Sequence, residues 1–291
     1  VDNSQISGRL KRQLHQERPM ADLINLAAYP IADPAAPDRA RTVARLRDEL
    51  DRQQYCVLPE FIGPQMCAQL VQEVYQRLPE AYGNRSRRNC YLQRQGDEAL
   101  PSDHPSNTLF DASYNMMAYD LFEDGSLLRA LYTWEPLRRF VADIVGAETL
   151  YLSEDIYQPA NVLCYGTGDR SAWHFDSTSA FTPTLMLQAA EAGGEFKIAP
   201  HTRNEDASDD PAKLAKLRSV LDGDDTHVVT VPREPGALVI FRGCTSVHCV
   251  SPVEGDVERL MAVFVYEDDP GVIGDPEVNR TVYGPRSQAA Q

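Results

Sequence analysis

The chain has 291 residues, which is enough for one large domain or two small ones, and its 43% hydrophobic and 24% charged residues are ordinary for a globular protein. Its net charge of -15 disfavours nucleic acid or an anionic membrane as the main partner, because both would repel it. No apolar run reaches the roughly 18–20 residues of a membrane-spanning helix, and the first 20 residues lack the apolar core of a signal peptide.

The first predicted elements are two amphipathic helices with a short strand between them. In residues 40–53 apolar side chains recur at helical spacing among arginines and acids. Residues 55–61 form a short apolar run that indicates one strand. Gly63-Pro64 then begins a second amphipathic segment, whose apolar face continues to Leu78.

The next stretch is predicted to be a loop followed by helices. Residues 83–108 are polar and contain several arginines, a composition that predicts a loop. A third helical stretch covers residues 127–145, where Pro136 should split the helix and Gly146 should end it. Up to about residue 148, the sequence is therefore predicted to be mainly helical.

The second half of the sequence has the character of short strands between turn signals. One helix, residues 211–221, interrupts them. The candidate strands are 149–157, 161–166, 181–188, 194–199, 226–232, 237–242, 246–252 and 259–267.

Helices first and strands afterwards predict an α+β fold. Its core would be a double-stranded β-helix, that is, a cupin-like jelly roll, with the N-terminal helices packed on one sheet. We expect a single catalytic domain over residues 1–291, made of a helical part (1–148), a jelly-roll core (149–270) and a C-terminal tail (271–291).

The cysteine pattern indicates the redox state of the cellular compartment in which the protein works. Six are present and none forms a C-x-x-C pair, which in a chain of this length indicates reduced, mostly buried thiols rather than a zinc ribbon. We therefore expect a cytoplasmic protein. A homodimer would suit the helical first half.

One segment, Trp173-His174-Phe175-Asp176, points to chemistry. Side chains of a strand alternate between its two faces, so His174 and Asp176 would point to the same side and could bind one metal ion. His248 lies on a later apolar strand that a jelly roll would bring close to the first. Two histidines and one carboxylate on one face of an octahedron are typical of iron(II) oxygenases, since three positions stay open for cosubstrate and dioxygen.

A His-x-Asp pair alone is weak evidence, because a chain with six histidines often contains one by chance. The position of Arg259 strengthens it. This arginine lies eleven residues beyond His248 and opens the last apolar strand. A guanidinium there can hold the far carboxylate of a dicarboxylate such as 2-oxoglutarate by a bidentate pair.

These features resemble the iron(II)/2-oxoglutarate-dependent dioxygenase superfamily. Over roughly residues 150–270 the sequence is similar to the HalD-like branch, which contains free-amino-acid radical halogenases and related hydroxylases. The helical first half matches only in general character. The segments that carry the resemblance are Asn161-Val-Leu-Cys-Tyr-Gly, Gly168-Asp-Arg, Trp173-His-Phe-Asp, Thr184-Leu-Met-Leu-Gln188, Gly193-Gly-Glu-Phe196 and His248 to Pro252.

The resemblance implies an enzyme that uses Fe(II), 2-oxoglutarate and O2. Decarboxylation of 2-oxoglutarate to succinate would drive oxidation of an unactivated C–H bond, with His174, Asp176 and His248 as catalytic metal ligands and Arg259 as the cosubstrate residue. Halogenases of this kind carry glycine or alanine in place of the metal carboxylate, which frees a place for chloride. Because this sequence has Asp176, we expect hydroxylation of a free amino acid or similar small polar metabolite.

Five further residues are candidates for the site. Tyr157 and Asn161, on the strands before the motif, are candidate cosubstrate-binding residues. Trp173, Thr184 and Arg203 are candidate substrate residues, and Arg203 would contact a substrate carboxylate. Each has a structural alternative, which is packing for Trp173 and Thr184 and contact with solvent for Arg203.

Residues 203–225 contain many acids around one short helix. The simplest interpretation is a solvated insertion. The alternative is a lid over the site, whose acids would attract a substrate ammonium or guanidinium group. Neutralising Asp209 and Asp210 would test this alternative.

Other functions stay open on the sequence. The same cofactors could drive desaturation, cyclisation or halogenation, and the substrate could be a peptide or carrier-bound residue, which would need an open groove. A cupin-like metal-binding or sugar-binding β domain without oxygenase activity is the non-enzymatic alternative, and the spacing of Arg259 argues against it.

Overall fold

The computed structural model describes residues 20–176, 180–208 and 210–288. No helix within these ranges is long and apolar enough to cross a membrane. The α-helices whose two ends are described are α1 (Pro37–Gln53), α2 (Pro64–Arg77), α3 (Leu127–Thr133), α4 (Glu135–Val145), α5 (Pro211–Leu221) and α6 (Pro276–Tyr283).

Most strands fall in the predicted second half, and three lie in the first. They are β1 (Tyr55–Leu58), β2 (Tyr82–Arg88), β3 (Phe110–Met117), β4 (Tyr151–Leu152), β5 (Ala160–Tyr165), β6 (Ser171–His174), β7 (Thr182–Gln188), β8 (Ala192–Gly193), β9 (Phe196–Ala199), β10 (Val229–Thr230), β11 (Leu238–Phe241), β12 (Val247–Val250), β13 (Val253–Glu254), β14 (Arg259–Phe264) and β15 (Tyr266–Glu267).

Two antiparallel sheets form the core. The larger has seven strands in the order β1-β11-β7-β14-β5-β3-β2, and the smaller has four in the order β10-β9-β12-β6. Strands distant in sequence are neighbours in both sheets, as in a double-stranded β-helix. This arrangement confirms the predicted α+β jelly roll.

The helices of the first half pack on one face of the seven-stranded sheet, as predicted. Helix α1 contacts β1, α2 contacts β7 and α3 contacts β5. The buried faces of α1 and α2 carry leucines and a valine at helical spacing, among them Leu46, Leu50, Leu70 and Val74. Each such side chain contributes about 1.5–3 kcal/mol when it leaves water, which fixes the helices on this face.

The inner faces of the two sheets share a second, smaller apolar cluster. It joins residues of both sheets, namely Tyr165, Phe196, Ile198, Val231, Val239, Phe241, Val250 and Val253. Because this cluster fills only part of the space between the sheets, polar side chains on the same strands can face a cavity there.

The predicted loop at residues 83–108 is wrong in part. Strand β2 occupies Tyr82–Arg88 and pairs with β3 over seven residues, from Tyr82 opposite Met116 to Arg88 opposite Phe110. Strand β2 lies at the edge of the large sheet and exposes alternate residues. An edge strand with one face in water needs little apolar sequence, so its composition was mistaken for that of a loop.

Several boundaries also differ from prediction. The helix break falls at Trp134, and Pro136 lies in the first turn of α4, where its missing N–H costs nothing. The helix does end at Gly146, whose φ is 83°. The predicted strand 149–157 shrinks to β4, which places Tyr157 in a bend rather than on a strand.

Candidate active site

Two histidines and an aspartate meet where the small sheet ends. His174 on β6 pairs directly with His248 on β12, and their ring centres are 4.2 Å apart. Asp176 lies two residues beyond the end of β6 rather than within the strand, and its N–H donates to the carbonyl of Gly243 at 3.0 Å. A Cβ at Gly243 would collide with the Asp176 carboxylate, so the glycine leaves room for it.

The ligand atoms converge. Oδ1 of Asp176 is 3.4 Å from Nε2 of His248 and 3.9 Å from Nε2 of His174. One ligand atom from each residue lies within 4.8 Å of the others. Two nitrogens and one carboxylate oxygen form the facial set of a non-haem iron(II) site, and this geometry agrees with the predicted triad.

In both imidazoles, a hydrogen bond from Nδ1 to the backbone turns Nε2 toward the candidate metal position. Nδ1 of His174 lies 2.7 Å from the carbonyl oxygen of Ala172, and Nδ1 of His248 lies 3.0 Å from that of Ser246. A carbonyl only accepts, so each Nδ1 donates a proton to the backbone, and each Nε2 is the nitrogen that faces Asp176. Backbone partners of this kind hold metal-ligating histidines in place.

The protonation states suit a cation at this point. Burial, and then the proximity of His248, lower the pKa of His174 to about 4, so the ring is neutral at pH 7. Burial alone would raise the pKa of Asp176. The neighbouring His248 and a 2.6 Å hydrogen bond from the Thr182 hydroxyl to Oδ2 outweigh burial and lower that pKa below its usual range.

A cavity of about 260 Å³, which we call the inner chamber, extends from this triad between the two sheets. The predicted residues Asn161, Thr184 and Arg259 line it. Its full lining is Arg88, Leu92, Tyr114, Met116, Asn161, Leu163, Tyr165, Ser171, His174, Asp176, Thr182, Thr184, Phe196, Arg233, Phe241, His248, Val250, Arg259, Met261, Val263 and Val282.

Arg259 is the most deeply buried cation of the inner chamber. Its side chain is 1% exposed at the start of β14, as predicted. Burial lowers the pKa of its guanidinium, and its Nε finds no hydrogen-bond partner among the described residues. Gly194 leaves it space, because a Cβ there would come within 2.9 Å of its Cδ. A buried guanidinium without a carboxylate suits an anionic ligand.

A second cavity of about 560 Å³, the outer chamber, lies beside Asp176 of the triad. Loops rather than strands supply most of its wall. The residues that line it are Tyr91, Leu92, Phe175, Asp176, Ala180, Arg203, Glu205, Ala207, Arg242, Cys244 and Thr245. Asp176 and Leu92 line both chambers, so the candidate metal site stands at the junction between them.

The structure brings most of the predicted site residues together. Arg203 lies in the outer chamber, but Tyr157 and Trp173 are absent from the lining of both chambers in the described ranges. Tyr157 stacks on Tyr283 at 5.9 Å. Trp173 packs against a buried cluster that includes Leu217 of α5, which agrees with its structural alternative.

Several chamber residues were not predicted from the sequence, and three of them are informative. Arg233 follows β10 in a short loop without a motif, and Arg88 ends the strand that was predicted as a loop. Leu92 adopts a left-handed backbone with φ of 67°, which is uncommon for a leucine and indicates a constrained position. Leu92 offered no signal in the sequence, whereas recognising β2 as a strand would have drawn attention to Arg88.

Most of the described acids in the acidic segment, residues 203–225, do not line a chamber, which gives little support to the alternative of a lid. The carboxylate of Asp210 caps α5 by accepting from the N–H groups of Ala212 and Lys213, and Asp224 accepts from nearby side chains and backbone. These acids serve local structure. Asp209 lies outside the described residues. Only Glu205, among the described acids of this segment, lines a chamber.

Comparison with solved structures supports the fold. The epimerase SnoN from nogalamycin biosynthesis, a non-haem α-ketoglutarate-dependent enzyme, matches with a TM-score of 0.55 and 18% identity over 79% of this chain and 82% of its own. AviO1 from Streptomyces viridochromogenes Tue57 matches with a TM-score of 0.53 and 17% identity over 79% of this chain and 96% of its own. None of the curated proteins matches the sequence at a significant level.

A complex of SnoN with Fe3+, alpha ketoglutarate and nogalamycin RO also matches, with a TM-score of 0.54 and 18% identity over 81% of this chain and 93% of its own. The sequence model of the Halogenase D family covers residues 38–272. The resemblance therefore extends well beyond the predicted 150–270 and includes most of the helical half. The chain belongs to the Halogenase D family.

Proposed function

We propose that this protein is a hydroxylase of a free amino acid or a similar small polar metabolite, dependent on iron(II), 2-oxoglutarate and O2. The observation that carries the proposal is the place of Asp176, which completes a metal triad and lines both chambers. One chamber offers a buried cation for a cosubstrate carboxylate, and the other offers room for a substrate.

His174, Asp176 and His248 would hold the iron, and their donor set fits it. When bound, iron with 2-oxoglutarate and O2 supplies an oxidant able to break an unactivated C–H bond, with release of succinate and CO2. The chain's own task is to orient the reactants. Arg259 would hold the carboxylate of 2-oxoglutarate that lies away from the metal, because its buried guanidinium lacks an acidic partner among the described residues.

The outer chamber suits an amino acid, because it carries both signs of charge. The Arg203 guanidinium lies over the Phe175 ring, with Cζ 4.3 Å from its centre, and Nε donates to the carbonyl of Cys244 at 2.7 Å. These contacts fix the side chain, and no described acid forms an ion pair with it. Arg203 would bind the substrate carboxylate, and Glu205 would attract the ammonium group.

Asp176 favours hydroxylation over halogenation. A carboxylate at this position would occupy the coordination place that a halide needs, and the Thr182 hydroxyl and the Gly243 carbonyl hold the residue in place. The family is named after a halogenase, but the residue at this position, and not the family name, favours one reaction over the other. Product mass separates the outcomes, since hydroxylation adds one oxygen, desaturation removes two hydrogens and halogenation adds chlorine.

The decisive experiment is succinate formation under air with iron(II), ascorbate and 2-oxoglutarate, against a panel of free amino acids and with Asp176→Ala as the control. We expect one or a few amino acids to stimulate succinate in the wild type alone. Stimulation by a peptide or carrier-bound residue, and by no free amino acid, would replace the substrate class. Failure of the wild type to bind 2-oxoglutarate would favour a non-enzymatic β domain.

We also propose that the helical and strand-rich parts act as one catalytic unit in the cytoplasm. Strands β1, β2 and β3 of the first half join the same sheet as β5, β7, β11 and β14 of the second. All six cysteines are free and five are buried, in keeping with a reducing compartment. A homodimer stays a prediction.

A further inference from the structure

The inner chamber carries an excess of positive charge that one cosubstrate arginine does not explain. Arg88, Arg233 and Arg259 all line it, and Asp176 is the single carboxylate among its described lining residues. The chain as a whole has a net charge of -15. Three guanidiniums around one small cavity in so acidic a protein indicate that the cavity is built for anionic groups.

Arg233 enters the space between the two sheets from the loop after β10. Its Cζ lies 3.6 Å from the centre of the Phe196 ring and 5.5 Å from that of Phe241. Its Nη1 approaches the sulfur of Met261, on the same strand as Arg259, at 3.7 Å. The guanidinium is therefore held between aromatic rings of both sheets, next to the strand that carries Arg259.

Buried polar atoms of both arginines lack hydrogen-bond partners. Nε and Nη2 of Arg233 and Nε of Arg259 are buried and make no hydrogen bond within the described ranges. Neither residue forms an ion pair with a described acid. The two guanidiniums line the same cavity of about 260 Å³, and Arg233 contacts Met261, two residues beyond Arg259 on β14. In keeping with this placement, burial and then the charge of Arg259 lower the pKa of the Arg233 guanidinium well below its ordinary value.

The contacts with aromatic rings do not offset the free-energy cost of burying two unpaired guanidiniums. A cation over a ring recovers only part of the free energy lost when an unpaired charge leaves water, and repulsion between two like charges adds to the loss. An anion placed between the guanidiniums would relieve both costs. Charge-assisted, bidentate hydrogen bonds to a carboxylate are the interaction for which such a pair of planar donors is suited.

We propose that Arg233 and Arg259 together form a two-guanidinium site for one carboxylate, the one of 2-oxoglutarate that lies away from the metal. This inference rests on the proposed function. It makes Arg233 a second positioning residue for the cosubstrate, in a loop that sequence reasoning did not consider. Because the site is paired, the protein should discriminate strongly between 2-oxoglutarate and a 2-oxo acid that lacks the second carboxylate.

The test compares two ligands on the full chain loaded with manganese(II), which replaces the oxygen-sensitive iron(II). Isothermal titration measures the affinity of 2-oxoglutarate and that of pyruvate, a 2-oxo acid without the second carboxylate. We expect Arg233→Met to weaken binding of 2-oxoglutarate by roughly 10- to 100-fold, as for loss of a hydrogen bond to a charged group, and to leave binding of pyruvate unchanged. Arg259→Met should behave in the same way.

A matched control is Arg129→Met. Arg129 also lies over an aromatic ring, that of Tyr119 at 4.2 Å, but it pairs with Asp124 and lies away from both chambers. Arg129→Met should leave both affinities unchanged.

Thermal unfolding of Arg233→Met adds a second readout, because this substitution removes an unpaired buried charge. We expect its melting temperature without ligand to equal or exceed that of the wild type, and its gain on adding 2-oxoglutarate to be smaller.

The outcomes separate this inference from the function on which it rests. If Arg259→Met loses affinity for 2-oxoglutarate but Arg233→Met does not, the paired site is overturned and the proposed function stands. If Arg233→Met weakens binding of pyruvate as much as that of 2-oxoglutarate and melts at a lower temperature, Arg233 is a packing residue and the inference fails. If the wild type binds no 2-oxoglutarate, both the inference and the proposed function fail.

Discussion

The inner and outer chambers meet at Asp176 but are built from different parts of the fold. The inner chamber is lined chiefly by strands of the two sheets, which include β5, β7, β11, β12 and β14. The outer chamber is lined chiefly by residues between strands, such as Tyr91, Arg203 and Cys244. Hydrogen-bonded strands hold groups more rigidly than loops, while loops tolerate sequence change.

The two chambers also differ in charge. The inner chamber combines three arginines with the single carboxylate of the triad, whereas the outer chamber adds Glu205 to Arg203 and Arg242. Arg242 is already paired with Asp51 at 2.8 Å. In the proposed function, the sheets therefore supply the groups suited to a metal and a dicarboxylate, and the loops supply the mixed charge suited to a zwitterionic substrate.

The largest effect should follow from Asp176→Ala, which removes the carboxylate that lines both chambers. We expect iron affinity and substrate-stimulated succinate to fall by at least about 100-fold, since even the partners of metal ligands contribute 10- to 100-fold. Bound iron after gel filtration and succinate yield measure this. Asp120→Ala, at a surface ion pair with Arg286, is the control. Retention of wild-type iron content in Asp176→Ala would refute the triad.

Arg203→Met tests the outer chamber alone. We expect the amino acid KM to rise by roughly 10- to 100-fold, because a hydrogen-bonded charge partner is lost from a half-buried site, while the cosubstrate KM stays the same. Initial rates of succinate formation give both constants. A rise in the cosubstrate KM instead would mean that the chambers do not divide the two ligands as proposed.

Thr182→Val tests how the inner chamber supports the metal. The Thr182 hydroxyl donates to Oδ2 of Asp176, so its loss should weaken iron binding by about 10-fold. Thr184→Val is a matched control for iron affinity, because that hydroxyl, two residues further along β7, donates to the carbonyl of Val239 at 3.2 Å. Equal iron affinities of the two variants would show that the Thr182 hydrogen bond does not position the carboxylate.

The smallest effect should come from the acidic segment. Glu205→Gln should raise the amino acid KM by about 3-fold, as expected for a charge exposed to solvent. Asp210→Ala should leave that KM unchanged and lower the free energy of unfolding by about 1 kcal/mol, because the α5 cap is lost. Initial rates give the amino acid KM of each variant, and urea unfolding gives its free energy of unfolding. A higher KM in Asp210→Ala with unchanged stability would restore the lid hypothesis.

The fold class and the candidate metal triad could be predicted from the sequence alone. Its change from helical to strand periodicity predicted a jelly roll with helices on one sheet, and the spacing of His174, Asp176, His248 and Arg259 predicted the residues that the fold brings together. These signals are visible in a linear sequence because they depend on local periodicity and on residue types that few other functions require.

The other residues that line the two chambers could not be predicted without the packing of the strands and loops. Strand β2 could not be recognised locally, because its polar edge position depends on pairing with β3. Arg233 became visible as a chamber residue only through its contacts with strands of both sheets. Trp173, although it directly precedes His174 of the candidate metal triad, packs against a cluster that includes a residue of α5. Side-chain environment arises from contacts between segments distant in sequence, which composition and spacing do not encode.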